Sequence, residues 1–307
     1  MAKEKNNSKS LMATIAGLAG IFIWGVSTFF TRSLTESLGI FTQAAITAFF
    51  GGVVSLIMQA IGGDLKGNVK RAPKLYWLVT IPLYMVYKIS VSMAVGAAAD
   101  RSQVLTSNLI SQMWPLMTLV FTVVIFRNKI KKLFPIGVLI SALGLLVANS
   151  GKNFDIGSIF INIGKAWLPC FFALLSAVAW GLYSNLSRKI TMGLNAGCVG
   201  ILMMVSGVVC EIIAITRHEV PHFTWDAMGS LLFSVIAVAG AATFFWDLAM
   251  RNGNSMLVIV VSNFLPVISS ILSAWLLGVS IEVSLIVGAF MVVIGTIISK
   301  KCILEEK

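Results

Sequence analysis

Charge is what this chain has little of. Only 11% of its 307 residues are Asp, Glu, Lys or Arg, against roughly 25% in a soluble domain. With 58% hydrophobic residues and a mean hydropathy of +0.93, the runs between charges are too long and too apolar for water to solvate, so the class is membrane protein. Histidine is scarcer still. The two present, His218 and His222, sit in one polar stretch, so no apolar run carries a histidine for acid–base or metal chemistry, and an intramembrane enzyme is disfavoured. Cysteine is sparse and scattered: Cys170, Cys198, Cys210 and Cys302 share no metal-like or disulfide-like spacing, and three lie in apolar runs where a small buried hydrophobe is the default reading. No phosphate-binding glycine loop, ATPase motif or nucleophile elbow occurs. No cofactor, no metal and no ATP-driven step is expected. No cleavable signal peptide is expected either, because the charged start Met1–Ser10 leads into a run too long for a signal h-region.

What is there is a series of apolar runs of membrane-spanning length. A helix crosses about 30 Å of hydrocarbon with roughly 20 residues, and ten such runs fall at 11–31, 40–61, 76–98, 103–126, 133–150, 167–187, 195–215, 228–250, 255–277 and 283–300. The expectation is an all-α membrane protein of ten transmembrane helices. The formal charge of +11 sits in short clusters between these runs, where it anchors helices, so nucleic acid is not an expected partner. With the N-terminus inside, the internal connections hold 17 Lys and Arg and the external ones 5. That bias predicts a multi-pass protein of the bacterial cytoplasmic membrane with both termini in the cytoplasm.

The sequence also resembles itself. Trp24-Gly25 and the later Thr31-Arg32 match Trp180-Gly181 and Ser187-Arg188 at an offset of 156; Gly52-Val53-Val54 matches Gly207-Val208-Val209 at 155. Ser111-Gln112-Met113-Trp114-Pro115 matches Ser262-Asn263-Phe264-Leu265-Pro266 at 151, as do Gly137 and Gly144 with Gly288 and Gly295. The matches keep their order along the chain, which predicts two five-helix repeats, residues 1–152 and 153–307. Five is odd, so the second repeat enters the membrane inverted, giving the symmetry that alternating access around a central cavity requires.

These features resemble the drug/metabolite transporter superfamily: ten helices, a duplicated half, the early Trp-Gly, and the prolines of the fourth and ninth helices. Three stretches, Tyr87 to Pro115, Ala177 to Tyr183 and Trp246 to Pro266, are similar to its aromatic amino acid exporter group. The resemblance implies a basket in which helices 1, 3, 4, 6, 8 and 9 surround a cavity, with helices 5 and 10 outside it. It implies a secondary transporter exporting amino acids, aromatic or otherwise neutral, and related metabolites. A multidrug or lipophilic-cation exporter of the same fold is the alternative. The implied partners are a small-molecule substrate and membrane lipid, with the protein a monomer or a homodimer.

Ionisable residues inside a span mark function. Lys88 in the third span and Asp247 in the eighth qualify, either as a clamp for the carboxylate and ammonium of a zwitterion or as an internal strut paired with each other or with Ser and Asn neighbours, Asp247 otherwise reaching the interface. Asn108, Gln112 and Asn263 offer amides on one face of the fourth and ninth spans, and Pro115 and Pro266 permit bends there that suit gating. Trp24, Tyr84, Tyr87, Trp114, Trp180, Tyr183 and Trp246 are the aromatic candidates for a cavity wall. Gly137, Ser141, Gly144, Ser284, Gly288 and Gly295 read as close-packing surfaces within the monomer. His218-Glu219-Val220-Pro221-His222 fits a zinc pattern on paper, but Pro221 breaks the helix that chemistry needs.

Overall fold

The computed structural model describes residues 2–62, 65–99, 101–148, 150, 153–191, 198–265, 268 and 283–304, and these are helical nearly throughout. Eight helical stretches are long and apolar enough to cross a membrane. They are the apolar part of α1 (Ala2–Leu38), α2 (Ile40–Gly62), α4 (Lys74–Gly96), the continuous pair α5 (Arg101–Ser111) and α6 (Trp114–Phe126), α9 (Trp167–Ile190), α10 (Val199–Thr216), the run from α11 (Trp225–Phe233) through π1 (Ser234–Ala242) to α12 (Thr243–Asn252), and α14 (Val283–Lys301). A ninth apolar helix, α7 (Phe134–Ala148), is shorter at 15 residues. The expected ninth span opens with α13 (Ser255–Ser262), and much of its remainder, with Pro266, lies outside the described residues. Short helices α3 (Leu65–Arg71) and α8 (Ile156–Lys165) connect spans.

Ends are set by ordinary capping chemistry. The side chains of Asp155, Thr224 and Asn254 accept from Ser158 N, Ala227 N and Leu257 N, starting α8, α11 and α13. Gly39, at φ +86°, turns the chain between α1 and α2, a conformation glycine adopts without steric cost. Large apolar side chains such as Ile61, Leu78 and Trp225 point outward, at 83%, 73% and 91% exposure, as helices bathed in lipid require.

Small residues let the helices pair at close range. On α7 and α14, Gly137 faces Gly295 and Gly144 faces Gly288, with no room for a Cβ at any of the four, and Ser141 Oγ donates to Val292 O across the seam. The predicted close-packing surfaces thus meet within one chain. On α2 and α10, Gly52 faces Gly200, and Gly207 lies against Ala45 and Phe49. Helix α4 packs along α9, and α1 along α12. A two-residue antiparallel pairing, β1 (Lys129–Ile130) with β2 (Ile303–Leu304), ties the loop after α6 to the chain end.

The fourth span is interrupted by one turn within an otherwise continuous helical run. Helix α5 stops at Ser111, Gln112 and Met113 form a turn, and α6 restarts at Trp114 with Pro115 in its first turn, where a missing N–H costs nothing. The ninth span breaks likewise at Asn263 and Phe264, immediately after α13.

Candidate functional site

Between α1, α2, α4, α10 and π1 lies a cavity of about 150 Å³. Trp24, Tyr84, Tyr87 and Lys88 line it, as expected; so do Gln43 and Thr47 of α2, Ser234 and Thr243, which sequence reasoning missed. Helix α2 and Met203 of α10 therefore share the wall, beside the helices 1, 3, 4, 6, 8 and 9 that were expected to surround the cavity. Lys88 Nζ lies 3.5 Å from Thr47 Oγ1, and no carboxylate pairs with it among the described residues.

Behind this wall the remaining aromatic candidates form one connected cluster. Trp24 stands at its centre, with ring centroids 5.8, 5.7 and 5.7 Å from Trp114, Trp180 and Trp246. Tyr87 lies 4.6 Å from Trp180, and Tyr84 5.2 Å from Tyr183. These edge-on and tilted contacts are the geometry aromatic quadrupoles favour. Two of the indoles are hydrogen-bonded: Trp24 Nε1 donates to Val238 O in π1 at 3.2 Å, and Trp246 Nε1 to Ser184 Oγ at 3.2 Å. Trp180 Nε1, Tyr183 Oη and Ser234 Oγ are buried with no hydrogen-bond partner among the described residues. Each unsatisfied buried group costs about 1–3 kcal/mol, so a polar ligand atom or water arriving there is favoured. The nine-residue π1 segment is a rare geometry that tends to occur at functional positions.

Asp247 is placed differently from the expectation. The internal strut with Lys88 does not form. Asp247 is instead held by Arg251 one turn on, through Nη2–Oδ1 at 2.9 Å and Nε contacts at 3.0 and 3.1 Å, with side chains only 8% and 3% exposed. Arg251 Nη2 reaches across to Ser187 Oγ at 2.6 Å and Nη1 to Ser187 O at 3.4 Å. Its guanidinium lies 5.8 Å over the Tyr76 ring, and Tyr76 Oη accepts from Cys198 N at 3.2 Å. The network joins α12, α9, α4 and the start of α10. The i, i+4 spacing of Asp247 and Arg251 was the signal available in the sequence; the helix simply runs past the turn where Arg251 was expected.

The amides are not cavity groups. Asn108 is exposed, Gln112 is half-buried in the break of the fourth span, and Asn263 Nδ2 donates to Ile259 O on its own helix. The zinc-like stretch does something else: Glu219 accepts from Phe41 N, Thr42 N and Thr42 Oγ1 at 2.8–3.1 Å, capping the start of α2. That is the favourable place for a carboxylate at a helix N-terminus.

Comparison with known proteins adds to this geometry. The model of the EamA-like transporter family matches residues 11–150 and again residues 167–300. The aromatic amino acid exporter YddG of Salmonella typhimurium is 27% identical over 290 residues, covering 94% of this chain and 97% of that one. Its Escherichia coli namesake is 27% identical over 289 residues, at 93% and 96% coverage. An aromatic amino acid exporter YddG of Ancylobacter novellus is 24% identical over 267 residues, at 85% and 87%. A solved crystal structure shares the fold with a TM-score of 0.74 at 21% identity, covering 94% of this chain and 97% of that one.

Proposed function

The chain belongs to the EamA-like transporter family, and on that premise we propose that it is a secondary transporter of the bacterial cytoplasmic membrane that exports aromatic or other neutral amino acids by alternating access. The observation that carries the substrate class is Lys88. An ammonium on a wall of aromatic rings, bonded only to a threonine hydroxyl among the described residues, is costly in a membrane interior unless a ligand uses it. A substrate carboxylate supplies the missing charge. The aromatic faces offer stacking to a side-chain ring and cation–π contact to an α-ammonium. The printed names of the YddG relatives point the same way.

Export of a lipophilic cation fits less well. It needs a carboxylate free to face the ligand, whereas Asp247 is neutralised by Arg251 and the charge lining the cavity is that of Lys88.

Alternating access rests on ten spans in two inverted repeats, and several contacts support that reading. Gly137 meets Gly295 while Gly144 meets Gly288; since 137 matches 288 and 144 matches 295, the seam is reciprocal, as a twofold demands. Gly52 meets Gly200 while Gly207 meets Ala45, which is reciprocal at the 155 offset. Both broken helices break at the same matched positions. The Lys and Arg bias of 17 against 5 supports cytoplasmic termini, which puts Arg251 at the cytoplasmic end and Glu219 outside. At about 150 Å³ the cavity is below the usual ligand-pocket range of roughly 300–1,000 Å³, so this is a contracted state that must widen to load.

The reading is tested by ligand-dependent thermal stability of the purified protein. Phenylalanine, tyrosine or tryptophan raises the unfolding midpoint of the wild type, and Lys88→Ala abolishes the rise. A rise with quaternary ammonium ligands alone would overturn the amino acid assignment.

A further inference from the structure

We propose that Arg251, held by Asp247, is the removable seal that closes the cavity to the cytoplasm, with Ser187 as the group it fastens to. The inference rests on the transporter reading and its orientation, and it adds which residues gate the pathway.

The bonds divide in a telling way. Both partners of the ion pair are on α12, four residues apart, so the pair stays intact whenever α12 moves as a body. Among the described residues, the bonds that join α12 to α9 run from Arg251 to a neutral hydroxyl and a carbonyl of Ser187 and from Trp246 to the Ser184 hydroxyl. Parting these helices therefore leaves the Asp247–Arg251 pair whole, whereas splitting a buried ion pair would be prohibitive in a low-dielectric interior. A static strut between the same helices has no need of this division, while a seal that must open at every transport cycle does.

Around the seal the packing is continuous. Arg251 lies over Tyr76 of α4, Tyr76 receives the backbone N–H of Cys198 at the start of α10, and Trp246, one residue before Asp247, is tied to Ser184 of α9. On the other side, Asn254 N donates to Thr14 Oγ1 of α1 at 2.8 Å. At this end α12, α9 and α4 meet at one guanidinium, and α10 and α1 join them through Tyr76 and Asn254.

The span of the first half that corresponds to the eighth is α4, Lys74–Gly96, and it contains no Asp, Glu or Arg. The residue matching Ser187 at the 156 offset is Thr31, so the receiving hydroxyl recurs in the sequence. With Arg251 bonded to Ser187 this end is closed, and substrate loading must draw Arg251 away from Ser187.

Native Cys198 reports on this without reference to the substrate. It is 1% exposed and backs onto Tyr76. In a protein with Cys170, Cys210 and Cys302 replaced by serine, inside-out vesicles are treated with a membrane-impermeant maleimide. Ser187→Ala is expected to raise the Cys198 alkylation rate several-fold, Ser187→Thr, which keeps the hydroxyl, to retain the slow rate, and right-side-out vesicles to show no change. The unfolding midpoint of each variant separates opening from unfolding. An unchanged Cys198 rate in folded Ser187→Ala overturns the proposal even if phenylalanine is transported. A several-fold rise, with rescue by threonine, sustains the seal even if phenylalanine proves not to be a substrate.

Discussion

Trp24 and Trp180 touch edge to face, their ring centroids 5.7 Å apart at 77°. They also occupy matching positions of the two halves of the sequence, 156 residues apart and each followed by glycine. On the proposed inverted-repeat reading, a residue and its repeat equivalent meet only near the axis that relates the halves, which puts the aromatic cluster where an alternating-access transporter would hold its ligand.

The cluster should behave as one unit. Trp24→Ala and Trp180→Ala each are expected to cost about 3–5 kcal/mol, the range for emptying a tryptophan site. Their double mutant should cost less than the sum by about 0.5–1.5 kcal/mol, the worth of an aromatic pair. Equilibrium unfolding in detergent gives the cycle; strict additivity would mean that the rings do not couple.

The α7–α14 seam has no space for side chains at its glycines. Gly144→Leu and Gly288→Leu should each destabilise by about 1–3 kcal/mol or more through overpacking, read as a lower unfolding midpoint. A leucine at Gly164 or Gly229, where nothing lies within 4 Å of an added Cβ, should be tolerated. Equal tolerance at all four positions would refute the close approach.

Glu219 is a helix cap and not a metal ligand. Glu219→Ala should cost about 0.5–2 kcal/mol, as loss of an N-cap does, and Glu219→Gln less. Adding EDTA or zinc should leave the unfolding midpoint where it was; a zinc-dependent rise that vanishes with His222→Ala would contradict this.

Much of this was legible in the sequence because lipid imposes simple rules. Apolar length marked eight helical stretches long enough to span among the described residues, and the small residues of the fifth and tenth apolar runs pointed to the α7–α14 seam. Prolines 115 and 266 pointed to the fourth- and ninth-span breaks, with that of the fourth span centred on Gln112 and Met113, since the fault lies in the turn preceding the ring. The site was less legible. Gln43 and Thr47 read as ordinary polar residues of a helix not named among those around the cavity, and nothing in Ser234–Ala242 announces a π-helix. Arg251 looked like a boundary residue because a lone arginine beside Asn252-Gly253-Asn254 reads as interface. Only the three-dimensional meeting with Ser187 makes it interior.

The central claim, an amino acid carried in a cavity charged by Lys88, is tested most directly by counterflow in proteoliposomes. Radiolabelled phenylalanine, threonine and a quaternary ammonium dye are offered to the wild type and to Lys88→Ala. The account predicts that phenylalanine exchanges, that the dye does not, and that Lys88→Ala lowers phenylalanine exchange at least about tenfold, the cost of removing a charge-assisted bond worth roughly 1.5–3 kcal/mol. Dye exchange without amino acid exchange, or phenylalanine exchange untouched by Lys88→Ala, would contradict it.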